Sequence, residues 1–316
     1  MQPRIAQTPS PLHPGEERWH PLGTVSPTSL VGARVQLHHA AQVANAAAIS
    51  LLAPEADDSH TSFEWSEEWS ALVARRIPAE QPFRVALRPA DLSVMLVSAD
   101  EPPATATVAV YPLDGRSRDE AFAWLVAQVA LAGADAARLT MRRHFQIPGQ
   151  VPDAAHPFSL GDGAPFGELA AYWSDADTLL GAVARVMPGA GEVRCWPHHF
   201  DIATLITRPH TQPGAPRATT GIGMSPGDQY YAEPYLYVSP YPYPDVRSLP
   251  RLELGSWHTQ GWVGAVLPAS AWVRASTPAE QRWRAATFVY GAEAAVRRIQ
   301  QRSSVTGTAA TPDEGG

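Results

Sequence analysis

The chain has 316 residues, 45% hydrophobic and 17% charged, with a formal net charge of −7 and a single cysteine. That length and composition give a sizeable core and exclude a disordered or fibrous chain. The acidic balance, with basic residues only as scattered pairs (Arg75-Arg76, Arg142-Arg143, Arg297-Arg298), argues against nucleic-acid binding. A lone Cys195 permits no intrachain disulfide, which suits a cytoplasmic location, and no apolar run is long enough to cross a bilayer.

Residues 1–27 are rich in Pro, His, Gly and Thr without periodicity and read as a disordered or extended arm. A helix is expected from Ser29 to about Ala53, carried by Leu30, Leu37, Ala41, Ala44, Ala48 and Leu51 and stopped by Pro54. FRVALR (83–88) and DLSVMLVS (91–98) form a predicted hairpin across Pro89-Ala90, and residues 105–112 a third strand. Ser117-Arg118-Asp119-Glu120 is a capping box opening a second helix, which Gly133 can close.

A third helix carries Phe166, Leu169, Trp173, Leu180 and Met187 and ends at Pro188-Gly189. Strands follow at HFDIATLI (199–206), TTGIGM (219–224), YYAEPYLYV (230–238) and WVGAVLP (262–268). Thr277-Pro278-Ala279-Glu280 opens a last helix to about Gln300, and residues 303–316 form a polar tail. The expected architecture is α+β: two related halves, about 28–150 and 151–302, with antiparallel sheets flanked by helices and packed as one unit. A short echo, His60-Thr61-Ser62-Phe63-Glu64 against His198-His199-Phe200-Asp201, fits that duplication.

Strand alternation over HFDIATLI puts His199 and Asp201 on one face and His198 with Phe200 on the other. His-x-Asp is two-thirds of a facial triad that holds an iron or zinc ion, and His258, 57 positions after Asp201, is the candidate third ligand. Arg274 would then meet a carboxylate co-substrate. The competing reading has these side chains satisfying one another in a packed core. Glu233 shares an alternating face with Tyr231, Tyr235 and Tyr237. It is either a polar anchor or general base in an aromatic pocket, or part of a solvated edge strand that Pro234 suits. Trp196 and Trp257 are expected as pocket walls around a small-molecule ligand.

The order His199-x-Asp201, His258, Arg274 resembles the iron- and 2-oxoglutarate-dependent oxygenases. That resemblance implies a β-helix barrel, with which the long helices disagree; Arg274 also lies further beyond His258 than the pattern has it. RSRDEAFAWL, HFDIATLI, GIGMSPGD, YYAEPYLYVSPYP and GWVGAVLP together look like an uncharacterised bacterial family, a domain of unknown function. The similarity covers about residues 30–300 and implies a cytoplasmic α+β protein with no activity attached. Within that family the position of His199 also takes small polar residues while Phe-Asp persists, which makes Asp201 the firmer member of the pair.

Overall fold

The computed structural model describes residues 19–306 except 103, 107, 143, 144, 148, 210–216 and 276, and only the backbone at 303–306. Its centre is an 11-stranded, wholly antiparallel sheet in the order β10-β11-β9-β8-β7-β6-β1-β2-β3-β4-β5. The first half supplies β1 (Phe63–Ser66), β2 (Ala71–Ala74), β3 (Phe83–Arg88), β4 (Ser93–Ser98) and β5 (Val108–Pro112) as a meander. The second supplies β6 (Arg194–Cys195), β7 (Ile202–Thr207), β8 (Thr219–Ser225) and β9 (Tyr235–Tyr241), then β10 (Ser256–His258) and β11 (Gly264–Pro268). The halves meet where Phe63 of β1 pairs with Cys195 of β6, so one continuous sheet replaces the expected separate ones.

Each half is led by a long helix, α1 (Val31–Leu51) or α3 (Ala164–Val186), and followed by another, α2 (Arg118–Leu131) or α5 (Pro278–Thr306). The halves therefore run outward from the β1–β6 join in sequence order over their first four strands; beyond β9 the second half places β11 and then β10, where the first has only β5. In that order the counterpart of β1 is β6, whereas the HTSFE/HHFD echo aligns β1 with the approach to β7. The echo is out of step with the topology. The short helix α4 (Ala269–Trp272) was not foreseen.

Alternation sorts the strands by face. Leu72, Val85, Leu87, Val94, Ile202, Ile206, Ile222, Met224, Leu236 and Val238 join the helices in one large core. Trp173 and Trp272 are fully buried in it. Their alternates form an outer face, closed over the first half by Ala71, Val73, Ala86, Met95 and Val97. The capping box on α2 is complete: the Ser117 hydroxyl accepts from the Glu120 N–H at 3.2 Å, and the Glu120 carboxylate accepts from the Ser117 N–H at 2.8 Å.

Residues from Trp19 onward are packed rather than loose. His20 donates its backbone N–H to Asp175 of α3 at 3.0 Å and places its ring Nδ1 2.9 Å from the same oxygen. Thr24 donates its hydroxyl to Glu168. Leu22 is buried, and its backbone N–H and C=O both bond the Gln281 amide of α5. Residues 1–18 of the expected arm and 307–316 of the expected tail lie outside the described residues. The α5 backbone runs on to Thr306, past the expected start of the tail. No helix among the described residues is long and apolar enough to cross a membrane.

Candidate functional site

The strand expected to begin at His199 begins at Ile202. Before it, Trp196 to Asp201 make a turn, closed by the Phe200 N–H donating to the Trp196 carbonyl at 2.6 Å and the Trp196 N–H to the Asp201 carbonyl at 3.1 Å. Phe200 has φ +61°, a left-handed conformation unusual for a bulky residue. Its ring compensates by burial: it stacks on His38 of α1 at 4.8 Å and packs on Trp173 at 5.0 Å. This turn breaks the alternation on which the His199/Asp201 pairing depended. His199 sits exposed on the turn, and Asp201 is half-buried beneath it.

A cleft of about 660 Å³ opens here, across the ends of β7, β8 and β9. That volume lies within the range of small-molecule sites. Its lining runs from Arg34 and His38 on α1, past His198, His199 and Asp201, to Asp228, Tyr230, Tyr235, Tyr237 and Trp262. The aromatic wall stands on the outer face of the sheet, because Tyr235 and Tyr237 alternate with the core residues Leu236 and Val238. Centroid distances are 6.2 Å for Tyr235–Tyr237, 6.4 Å for Tyr235–Trp262 and 6.2 Å for Tyr237–Trp262.

Glycines make room for this wall. A Cβ on Gly223 would come within 2.7 Å of the Tyr237 ring and of the Ile202 carbonyl, so the phenol lies directly on bare backbone. One on Gly264 would come within 2.4 Å of the Trp262 ring. The strand expected at TTGIGM is β8 and runs to Ser225, followed by a loop that carries Gly227 and Asp228.

Both phenols are held by carboxylates. Tyr237 donates to Asp201 Oδ2, and Tyr235 donates to Asp228 Oδ2 at 2.8 Å. Asp228 Oδ1 accepts the backbone N–H groups of Tyr230 at 2.7 Å and Tyr231 at 3.0 Å. Burial, reinforced by the facing carboxylates, pushes both phenol pKa values up, so at neutral pH they are hydrogen-bond donors and not bases. Asp201 Oδ1 has no partner among the described residues and is an acceptor at the cleft. Arg34 is half-buried, and burial lowers its pKa against the opposing pull of Asp228, yet a guanidinium stays charged.

The metal set expected from the sequence is not brought together. His258 stands one ring behind the wall, stacked on Trp262 at 4.5 Å. Its Nδ1 faces the Tyr231 hydroxyl at 3.1 Å and its Nε2 the Gln260 carbonyl at 2.7 Å, so both ring nitrogens are engaged. No group of three His, Cys, Asp or Glu side chains among the described residues is arranged to hold a metal ion.

The remaining candidates divide. Tyr235 lines the cleft. Glu233 precedes β9 instead of sharing its face; its carboxylate accepts from the backbone N–H and the hydroxyl of Ser270, at the start of α4. It serves as a helix cap, not a base in the cleft. Pro234 lies beside an interior strand, because β9 is flanked by β8 and β11. Trp257 donates its indole N–H to the Pro250 carbonyl at 2.7 Å and packs on the core. Trp196 points its indole at the Asp57 carbonyl, 3.4 Å away, and Arg274 is exposed beyond α4; neither lines the cleft.

Cys195 is fully buried, and burial raises its thiol pKa, so it is not a nucleophile. Tyr237, expected on one face with Tyr235, does line the cleft, whereas Arg34, Asp228 and Trp262 are among the cleft groups not expected there. Tyr237 and Trp262 stood in runs already read as strands, next to glycines that leave space for a ring. Arg34 stands on a helix face without any local sign of its role. No family model matches the chain, and no curated protein or solved structure matches it either.

Proposed function

We propose that the cleft binds a small organic molecule with a flat, ring-bearing body. The observation that carries this reading is the three-ring wall of Tyr235, Tyr237 and Trp262, seated on glycines and fixed by two carboxylates. A wall built only to fill space would not require Gly223 and Gly264 beneath it, since larger residues would close the same gap. Fixed aromatic faces take planar ligands at low entropic cost, because little remains to be ordered on binding. The phenol hydroxyls are committed to Asp201 and Asp228, so the rings offer their faces and edges while Asp201 Oδ1 offers an acceptor.

The test is direct binding of ring compounds to the full chain, read by ligand-observed NMR, in the wild type and in Trp262→Ala. Arenes of one to three fused rings should bind the wild type, and Trp262→Ala should remove most of that binding while the fold persists by circular dichroism. Failure of every such compound to bind the wild type, or equal binding by Trp262→Ala, would overturn the reading.

A further inference from the structure

Resting on that reading, we propose that the ligand carries an oxyanion, a carboxylate or a phosphate, and that the Arg34 guanidinium is the group that binds it. Arg34 lines the same cleft as the aromatic wall. Its only hydrogen bond among the described residues is a 3.5 Å contact from Nη1 to the Tyr231 carbonyl, at the limit of a useful length. A guanidinium has five N–H donors in a planar fork, so nearly all of its capacity is unspent.

The surroundings hold this group in place. Gly227, at φ +109°, bends the loop after β8 around it, and a Cβ there would come within 2.3 Å of Arg34 Nη1. That φ favours glycine, and a Cβ would also crowd the backbone carbonyls of Tyr231 at 2.9 Å and Glu233 at 3.0 Å. The nearest carboxylate does not pair with it: Asp228 spends its oxygens on the Tyr235 hydroxyl and on two backbone N–H groups. No ion pair to Arg34 occurs among the described residues. A partly desolvated, unpaired cation is costly to keep, and a bound oxyanion recovers that cost through charge-assisted, bidentate hydrogen bonds.

The competing occupant is a cation, because Asp201 and Asp228 line the same cleft and aromatic walls attract ammonium groups. The hydrogen bonding argues against it. Both carboxylates already accept phenol protons, while the guanidinium, which would repel a cation, keeps most of its donors unspent. Asp201 Oδ1 suits a neutral donor on the ligand, such as a hydroxyl.

Matched sets test this: aryl carboxylic acids, their primary amides, the corresponding aryl amines, and aryl phosphates, each titrated calorimetrically into the full chain. Acids or phosphates should bind at least about tenfold more tightly than the amides, the effect of roughly 1.4 kcal/mol. The acid and phosphate arms decide which oxyanion is preferred. Arg34→Gln should erase the preference, bringing acid and phosphate affinity down to that of the amides. Arg34→Lys should retain more of the phosphate affinity than of the carboxylate affinity, because it keeps charge but loses the fork. Amides equal to acids in the wild type, an acid preference that survives Arg34→Gln, or amines binding best would each overturn the oxyanion assignment and leave the cleft as a ligand site. Absence of binding by all four sets would overturn the ligand site itself.

Discussion

On the outer face of the sheet, β2 to β4 present Ala71, Val73, Ala86, Met95 and Val97, all nearly without solvent contact. The same face of β8 and β9 presents Gly221, Gly223, Tyr235 and Tyr237, and a cleft lies against it. The first four strands of each half run outward in the same order, so over them the difference lies in side-chain size along one face. Small and medium residues of similar height pack into a closed layer. Glycines beside large rings cannot do so, and leave a hollow walled by aromatic groups. One half thus closes this face of the sheet, and the other leaves a cleft in it.

Substitutions can break or sharpen that contrast. The largest effect is expected in the closed half, where Met95→Ala should cost about 2–5 kcal/mol in denaturant unfolding, as core truncations do. A loss as small as that of a surface change would mean that this face is not truly closed. Next, Gly223→Ala should cost about 1–3 kcal/mol through overpacking, because the new methyl meets both Tyr237 and the Ile202 carbonyl. Its near-ultraviolet circular dichroism should change as the phenol is displaced. An unaltered spectrum would show that the aromatic wall does not depend on the glycine.

Asp201→Asn should cost about 1–3 kcal/mol by weakening a charge-assisted hydrogen bond to a buried phenol. It should also lower the Tyr237 pKa in a spectrophotometric titration, since the Asp201 charge is one of the causes holding it up. The smallest effect concerns Asp177 on α3, whose carboxyl pKa is raised to about 7, chiefly by burial and then by Glu67 and Glu64. A carboxyl with a raised folded pKa binds its proton more tightly when folded. Stability should therefore rise as pH falls from about 7 toward 4. Asp177→Asn should lift the thermal midpoint by a few degrees at pH 8 and leave it nearly unchanged at pH 4. Equal shifts at both pH values would contradict this assignment.

Long periodic segments were legible in the sequence: α1, α2, α3 and α5, the β3–β4 hairpin and both capping motifs. Their signals are local, with apolar spacing in the helices and side-chain oxygens beside the first turn. Strands β1, β2, β6 and β10 are four residues or fewer, too short to show a period. They are held by pairing across the sheet, which adjacent residues do not reveal. The site was half legible for the same reason. His199 and Asp201 were found as sequence neighbours and Tyr235 within a run of tyrosines, whereas Arg34 reaches the cleft from a helix more than 160 residues upstream of Asp201. The one-residue left-handed kink at Phe200 was enough to undo the face assignment of His199.

The strap from Trp19 to Ser26 bears on the order in which the molecule assembles. It precedes α1, yet its partners Glu168 and Asp175 lie on α3 and Gln281 lies on α5, up to 259 residues away. A ribosome making this chain releases Leu22 of the strap 259 residues before its last anchor, Gln281. The strap must therefore wait, undocked, until Gln281 has been made, and is among the last parts to settle. Arg34 follows the strap by a few residues and depends for its seat on Gly227. The cleft's cationic wall is thus completed only after the second half of the chain has been made.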